Sequence, residues 1–295
     1  MTEISGVLSA LITPFESGSE AVNEAGLRSL VDRHISEGIH GLVPCGSTGE
    51  FAAMTADERR RVIDVVIEQA NGRVPVVAHV GAMTTAEAVE HAQHAEKAGA
   101  AGLMAVAPYY EPLTVSETKA YFRSIADAVA IPIVIYNLPV ATGVDLAIED
   151  LLDLTRRSPN ITHVKDTSGN FSRAARLIHD HADEIKTFVG WDSFYFASLV
   201  EGAPGSIVGA ANILTPQLVA IYDAVRDGRV LDARAVWDDI FPVMQFLISS
   251  GGYVQAVRAG LDIGGHPAGP PRAPMQPLAG ERRSELERLM HKLAS

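Results

Sequence analysis

Short apolar runs alternate with longer amphipathic stretches along most of the chain, and eight such pairs follow one another without a low-complexity gap. Parallel strands need a crossover between them, usually a helix, so this alternation predicts a parallel sheet. Eight strand and helix units predict an α/β fold, a TIM (β/α)8 barrel. The strands are expected at residues 7–12, 41–43, 74–80, 102–106, 131–136, 161–166, 186–189 and 206–208.

Helix boundaries agree with this division of the chain. Thr55 and Thr84 stand directly before first turns that contain acidic residues, a pattern typical of helix N-caps. Gly38, Gly99 and Gly202 follow amphipathic stretches, where a residue with a left-handed backbone closes the last turn.

Beyond residue 227 the sequence predicts more helices than an eight-fold unit needs. Residues 231–246, 252–261 and 281–293 have helical patterns. We therefore expect residues 1–226 to form the barrel and residues 227–295 to form a carboxy-terminal helical region packed against it.

Composition narrows the class of protein. With 295 residues, 47% of them hydrophobic, the chain can bury one large core, and no second domain is required. The net charge of −12 disfavours nucleic acid and anionic membranes, because either partner would require a basic patch. Cys45 is the single cysteine, and no eighteen apolar residues run together. We expect a cytoplasmic protein that acts on a small molecule.

In a barrel the functional residues lie at the carboxyl ends of the strands. Tyr136 ends the fifth predicted strand and Lys165 stands near the end of the sixth. Burial of a lysine disfavours its charged form, and a neutral amine can attack a ketone to form a Schiff base. Asp166 is adjacent to Lys165, but neighbouring strand residues point to opposite faces. The pattern indicates a nucleophilic lysine with a tyrosine beside it to move protons.

The loop after the second strand reads Gly46-Ser47-Thr48-Gly49. Two glycines around small hydroxyl residues let backbone N–H groups point at an anion. A tight turn without function is the alternative. Phosphate sites of barrels usually use the loops after strands seven and eight, which here contain Asp192 and no Lys or Arg. We therefore favour a carboxylate as the ligand of this loop.

Four motifs in chain order resemble the dihydrodipicolinate synthase and N-acetylneuraminate lyase family of class I, pyruvate-handling aldolases. They are Gly46-Ser47-Thr48-Gly49-Glu50, Pro108-Tyr109-Tyr110, Tyr136-Asn137-Leu138-Pro139 and Val164-Lys165-Asp166-Thr167-Ser168-Gly169-Asn170. The resemblance covers residues 7–212, and the helical tail is also of the expected kind. It implies a lyase on a TIM barrel that assembles as a homotetramer, a dimer of dimers.

The resemblance implies catalytic roles for four residues. Lys165 would form the Schiff base with a 2-oxo acid, usually pyruvate, and Tyr136 would be the general acid and base. The hydroxyls of Ser47 and Tyr110 would extend a proton relay from Tyr136. Tyr110 would reach across from a neighbouring subunit.

Substrate contacts are expected from a second, overlapping set. The resemblance implies that the backbone amides of Ser47 and Thr48 hold the ketoacid carboxylate, and that the Ile207 carbonyl lines the site. Asp192 occupies a place where sialic acid lyases contact sugar hydroxyls. Thr167, at the end of the sixth strand, is assigned to the same set.

Two departures from the family pattern bear on the second substrate. Dihydrodipicolinate synthases carry an arginine after the tyrosine that grips the carboxylate of the second substrate, and this chain has Ala141 there. Sialic acid lyases carry a glutamate where this chain has Ser193. The run 141–143 resembles aldolases of 2-keto-3-deoxy sugar acids. We therefore expect a Schiff-base lyase acting on pyruvate or such an acid by aldol cleavage, condensation or dehydration.

Three alternatives stay open. The first two are 4-hydroxy-tetrahydrodipicolinate synthase, which would join pyruvate to aspartate semialdehyde, and N-acetylneuraminate lyase. A noncatalytic ketoacid-binding protein is the third. We expect no cofactor. We also expect no metal, because the histidine pairs of the sequence join no strand-end ligand set. These pairs are His91 with His94 and His179 with His181.

Overall fold

The computed structural model describes residues 3–294, and it contains the predicted (β/α)8 barrel. Eight parallel strands follow the expected order, and almost all of their residues are buried. The strands are β1 Gly6–Ala10, β2 Gly41–Val43, β3 Val77–His79, β4 Gly102–Val106, β5 Ile133–Asn137, β6 Ile161–Asp166, β7 Lys186–Val189 and β8 Gly205–Val208.

Helices cover the outside of the barrel and continue beyond it. They are α1 Glu24–Ser36, α2 Ala56–Ala70, α3 Thr85–Ala98, α4 Val115–Asp127, α5 Pro139–Thr142, α6 Ile148–Arg157, α7 Phe171–Asp180, α8 Tyr195–Val200, α9 Ala211–Arg226, α10 Val230–Ser249, α11 Tyr253–Ile263 and α12 Gly280–Ala294. No helix within residues 3–294 is long and apolar enough to cross a membrane.

The strands close into a ring through parallel ladders, a β-bridge and a side-chain hydrogen bond. Parallel ladders join β2 to β1 and β1 to β8, and a second set runs from β3 through β7. A bridge between Leu42 and Val76 links β2 to β3. The Ser206 hydroxyl donates to the Val189 carbonyl at 2.5 Å, which links β8 to β7. All eight carboxyl ends therefore face the same end of the barrel.

Two strands start later than the apolar runs that predicted them. The third run contains Pro75 and the fifth contains Pro132, and each strand begins after its proline. Proline has no N–H to donate to a ladder, so it stands at the entrance of a strand and not within it. The carbonyls of both prolines still accept hydrogen bonds, from Leu42 N–H at 3.0 Å and Leu103 N–H at 2.8 Å.

The predicted helix caps are confirmed. Thr55 accepts from the Glu58 N–H and Glu58 bonds back to the Thr55 N–H, which completes a capping box. Thr84 accepts from the Glu87 N–H at 3.2 Å. Gly99 caps α3 with φ +99°, a left-handed conformation that glycine adopts without steric cost.

A buried ion pair ties the carboxy-terminal helices to the loop after β2. Arg258 on α11 donates from Nε to a Glu50 carboxylate oxygen at 2.7 Å, and both side chains are almost fully buried. Arg258 also donates to the Thr13 carbonyl at 2.6 Å. Glu50 accepts a further bond from the Arg272 N–H at 2.9 Å. Removing one partner of such a pair costs about 3–5 kcal/mol, because the other charge stays buried without a partner.

A second ion pair strengthens the same junction and depends on pH. The Arg272 guanidinium hydrogen-bonds the Glu58 carboxylate and lowers the pKa of Glu58 from its ordinary value of 4.5 to about 2. A lowered carboxyl pKa contributes stability that is complete above 4.5 and is lost as the pH falls toward 2.

We predict that Glu58→Gln lowers the free energy of unfolding by about 2 kcal/mol at neutral pH, allowing for partial screening by solvent. Glutamine preserves the capping box, so the change isolates the charge. The difference from the parent protein should shrink as the pH falls from 4.5 toward 2. Urea unfolding across this range measures it. A difference that does not vary with pH would contradict the assignment.

Candidate active site

A cavity of about 320 Å³ opens at the carboxyl ends of the strands. It is lined by every site residue that the sequence predicts except Tyr110. These residues are Ser47, Thr48, Tyr136, Lys165, Thr167, Asp192 and Ile207. Residues from five different strand ends and loops thus meet although they lie far apart in sequence.

Lys165 and Tyr136 are direct neighbours across the β5–β6 ladder. Each is only 6% exposed, so the amine and the phenol are both shielded from bulk water. The Lys165 Nζ atom lies 4.1 Å from the centre of the Tyr136 ring. The two residues occupy the same register position on adjacent strands and therefore point to the same side of the sheet.

Asp166 points away from Lys165, as the alternation of a strand requires. Its carboxylate accepts hydrogen bonds from Arg173 Nη2 at 2.6 Å and from Asn137 Nδ2 at 3.1 Å. Asn137 in turn accepts from the Leu146 N–H at 3.1 Å. These bonds hold the ends of β5 and β6 together behind the site, and they occupy the carboxylate that is nearest to the lysine in sequence.

Because Gly190 has no side chain, the Lys165 side chain can occupy the space beside it. A methyl group on Gly190 would lie 2.6 Å from Lys165 Cε and 2.2 Å from Thr167 Oγ1, closer than atoms can approach. Gly190 directly follows β7 and was not among the predicted site residues. A glycine directly after a strand signals close approach of another group, and that signal could have identified it.

The loop after β2 contributes Ser47 and Thr48 to the lining of the cavity. In the described part of the chain, the amides of Ser47 and Thr48 donate to no protein acceptor. Cys45 and Glu50, which border the loop, have positive φ values of +58° and +59°. Such values are uncommon for residues other than glycine, and here the buried Arg258–Glu50 pair holds the loop in that shape.

Asp192 is held by a residue from the carboxy-terminal helices. Its Oδ1 atom accepts from the Tyr253 hydroxyl at 2.9 Å and from the Ala210 N–H at 3.2 Å. Burial raises the pKa of Asp192, and burial beside this carboxylate also raises the pKa of Tyr253. Tyr253 was missed by sequence reasoning. Nothing in its local sequence places it at a barrel mouth, because it belongs to α11.

Tyr110 does not reach the cavity of its own subunit. It is 81% exposed and borders a separate surface cavity together with Met83 and Leu113. Tyr109 packs instead against Phe51, with ring centres 5.8 Å apart in an edge-to-face arrangement. Tyrosine is enriched at protein interfaces relative to the rest of the surface.

The sequence profile described as the Dihydrodipicolinate synthetase family matches residues 3–293. The chain belongs to this family. Members are class I, pyruvate-dependent lyases and aldolases, and this protein is an enzyme of that class.

Relatives in the family resemble the chain over nearly its whole length. A 4-hydroxy-tetrahydrodipicolinate synthase of Methanopyrus kandleri is 35% identical over 291 residues, 99% of this chain and 97% of the relative. The enzyme of the same name from Nitrobacter hamburgensis is 37% identical and covers 94% and 92% of the two chains.

Solved structures of the family superpose closely on this fold. YagE of E. coli K12, a prophage protein of the dihydrodipicolinic acid synthase family solved with pyruvate, has a TM-score of 0.94 at 28% identity. The match covers 99% of each chain. Dihydrodipicolinate synthase of Aquifex aeolicus has a TM-score of 0.93 at 27% identity, covering 99% of this chain and 98% of its own.

We predict that Gly190→Ala lowers kcat about 100-fold, because the added methyl group displaces the Lys165 side chain by a distance on the order of 1 Å. Steady-state assays of pyruvate release or consumption measure the change. Thermal melting serves as the control, since a variant that melts near the parent temperature has kept its fold. Unchanged kcat would mean that Lys165 tolerates the displacement and that Gly190 has no positioning role.

Proposed function

We propose that Lys165 forms a Schiff base with a 2-oxo acid such as pyruvate, and that the enzyme makes or breaks a carbon–carbon bond at the adjacent carbon. The observation that carries the proposal is the buried Lys165 amine, 4.1 Å from the Tyr136 ring inside the strand-end cavity. The pyruvate bound to YagE, which shares this fold, supports the choice of ketoacid.

The chemistry follows from the imine. The Lys165 nitrogen attacks the ketone carbon and water leaves, and the resulting imine withdraws electrons from the neighbouring carbon. Loss of a proton from that carbon, or cleavage of the bond to it, then leaves an enamine. Proton transfer is needed in both directions, and Tyr136 is the proposed acid and base because its ring lies beside the amine.

The ketoacid carboxylate is proposed to bind the loop after β2. The Ser47 and Thr48 amides have no acceptor in the described residues, and both residues line the cavity. The buried Thr167 hydroxyl also lacks a hydrogen-bond partner. A buried polar group without a partner costs free energy, so these groups favour a polar ligand. The Ile207 carbonyl, at the end of β8, completes this part of the lining.

Two observations bear on the identity of the second substrate. The names of the relatives favour aspartate semialdehyde. Ala141, which stands where synthases carry the arginine clamp, is exposed on the short helix α5 and offers no cation. We therefore retain both a 2-keto-3-deoxy acid and the synthase reaction as forms of the proposed activity, and we propose that the enzyme acts in the cytoplasm.

We predict that borohydride reduction in the presence of pyruvate adds a stable mass to the peptide that contains Lys165. Lys165→Ala should abolish the adduct because it removes the attacking nitrogen. Mass spectrometry of the digested protein provides the measurement.

Tyr136→Phe is the matched variant for this experiment. It keeps the ring beside the amine and removes only the hydroxyl, so the adduct should form slowly while turnover falls about 100-fold or more. An unmodified Lys165 peptide under saturating pyruvate would refute the Schiff base. Unchanged turnover in Tyr136→Phe would reassign the proton transfer to another group.

The proposal includes a homotetramer in which Tyr110 enters the cavity of a neighbouring subunit. Its 81% exposure and its distance from its own cavity support this arrangement. In a symmetric pair each subunit would supply one tyrosine to the other.

We predict that subunits carrying Lys165→Ala and subunits carrying Tyr110→Phe restore activity when they are co-expressed. In a mixed pair, one cavity combines an intact lysine with an intact tyrosine from its partner, whereas each variant alone is impaired. Turnover per subunit measures the effect, and sedimentation equilibrium measures the assembly size. Activity no higher than that of the separate variants would contradict a tyrosine that crosses between subunits.

A further inference from the structure

The outer part of the cavity is lined by an apolar rim, which consists of Leu138, Trp191, Ile248 and Val254. Leu138 and Trp191 follow the ends of β5 and β7. Ile248 and Val254 belong to α10 and α11, outside the barrel. Strand ends form the floor of the cavity, and loops and the added helices form the rim. The rim would therefore contact the part of the substrate that extends outward from the imine.

The charges of the cavity are already engaged. Among the described residues that line it, Lys165 is the one cation and Asp192 the one carboxylate. The proposed imine uses the Lys165 nitrogen. Asp192 accepts from the Tyr253 hydroxyl and the Ala210 N–H. A second carboxylate on the substrate would therefore find no second cation among the residues of this chain that line the cavity.

Hydroxyl groups would meet a similar obstacle at the rim. Leucine, isoleucine and valine side chains neither donate nor accept hydrogen bonds, and Trp191 offers a single N–H donor. Moving a hydroxyl from water against such a wall costs free energy when no partner replaces the water. A chain of several hydroxyls would add this cost repeatedly, whereas an apolar group gains free energy on leaving water.

We propose that the aldehyde partner of this enzyme is uncharged and carries a compact apolar group, aliphatic or aromatic. The inference rests on the Schiff base of the proposed function. For the second substrate it replaces the hydroxylated and charged acceptors retained there by an apolar one. Pockets that hold small ligands range from about 300 to 1,000 Å³. At about 320 Å³ this cavity is near the lower limit, which restricts the apolar group to one short chain or one ring.

The reaction balances without a further reactant. The enamine carbon derived from pyruvate forms a bond to the aldehyde carbon, and the aldehyde oxygen takes a proton and becomes a hydroxyl. Water then hydrolyses the imine, releases the 4-hydroxy-2-oxo acid and regenerates the Lys165 amine. The reverse sequence releases pyruvate and the aldehyde.

The test is a series of aldehydes offered with saturating pyruvate. Butanal and benzaldehyde represent the apolar class, glyceraldehyde the hydroxylated class and aspartate semialdehyde the charged class. Pyruvate consumption and mass spectrometry of the product give kcat/KM for each. We expect the better apolar aldehyde to exceed both others by about 10-fold or more. A higher value for glyceraldehyde or aspartate semialdehyde would overturn the inference.

A variant of the rim tests where the selectivity arises. Ile248→Gln introduces a polar group of similar size and should raise KM for the apolar aldehyde about 10-fold, with kcat little changed. Leu231→Gln is the matched control, because Leu231 lies on the same helix but is 86% exposed and does not line the cavity. Equal KM values in the two variants would exclude the rim as the determinant.

Borohydride trapping separates this inference from the proposed function. The apolar acceptor is refuted if the Lys165 adduct forms but the enzyme prefers a polar aldehyde. It is also refuted if the adduct forms but no apolar aldehyde is turned over. In both cases the Schiff base is retained. Absence of the adduct refutes the proposed function itself, and the inference falls with it.

Discussion

The register between β5 and β6 sets Lys165 beside Tyr136, and the rest of the site depends on that pairing. Parallel strands keep equivalent positions on the same face, so one register gives both side chains the same direction. A shift of one residue would turn Asp166 toward the cavity and Lys165 away from it. The hydrogen bonds from Arg173 and Asn137 to Asp166 oppose such a shift from the outer face.

The carboxy-terminal helices take part in the site and do not merely cover the barrel. Arg258 on α11 pairs with Glu50, at the end of the loop that presents the Ser47 and Thr48 amides. Tyr253, near the start of the same helix, bonds Asp192. Displacing α11 would therefore disturb both the proposed carboxylate contact and the opposite wall. This coupling makes the helical region part of the proposed catalytic unit.

The cavity combines two environments with different consequences for the substrate. Strand ends supply hydroxyls, amides and one amine, which suit the small and polar ketoacid end of a ligand. Leu138 and the residues from α10 and α11 supply an apolar surface for what lies beyond it. The barrel thus accounts for the chemistry shared by the family. The loops and added helices, which vary more easily, would determine the second substrate.

Local sequence was enough to predict the barrel, most strand ends and the position of Lys165 and Tyr136 at the ends of neighbouring strands. Strands alternate with helices at short range, and a strand-end residue of a barrel can be placed from its own strand alone. The fold prediction is confirmed, while the roles of the site residues stay predictions.

Tertiary structure alone decided which distant residues support the site. Tyr253 meets Asp192 across 61 residues and Arg258 meets Glu50 across 208, and contacts at such separations leave no trace in a local pattern. The position of Gly190 after β7 signals that some group approaches closely, but only packing shows that this group is a lysine from the neighbouring strand.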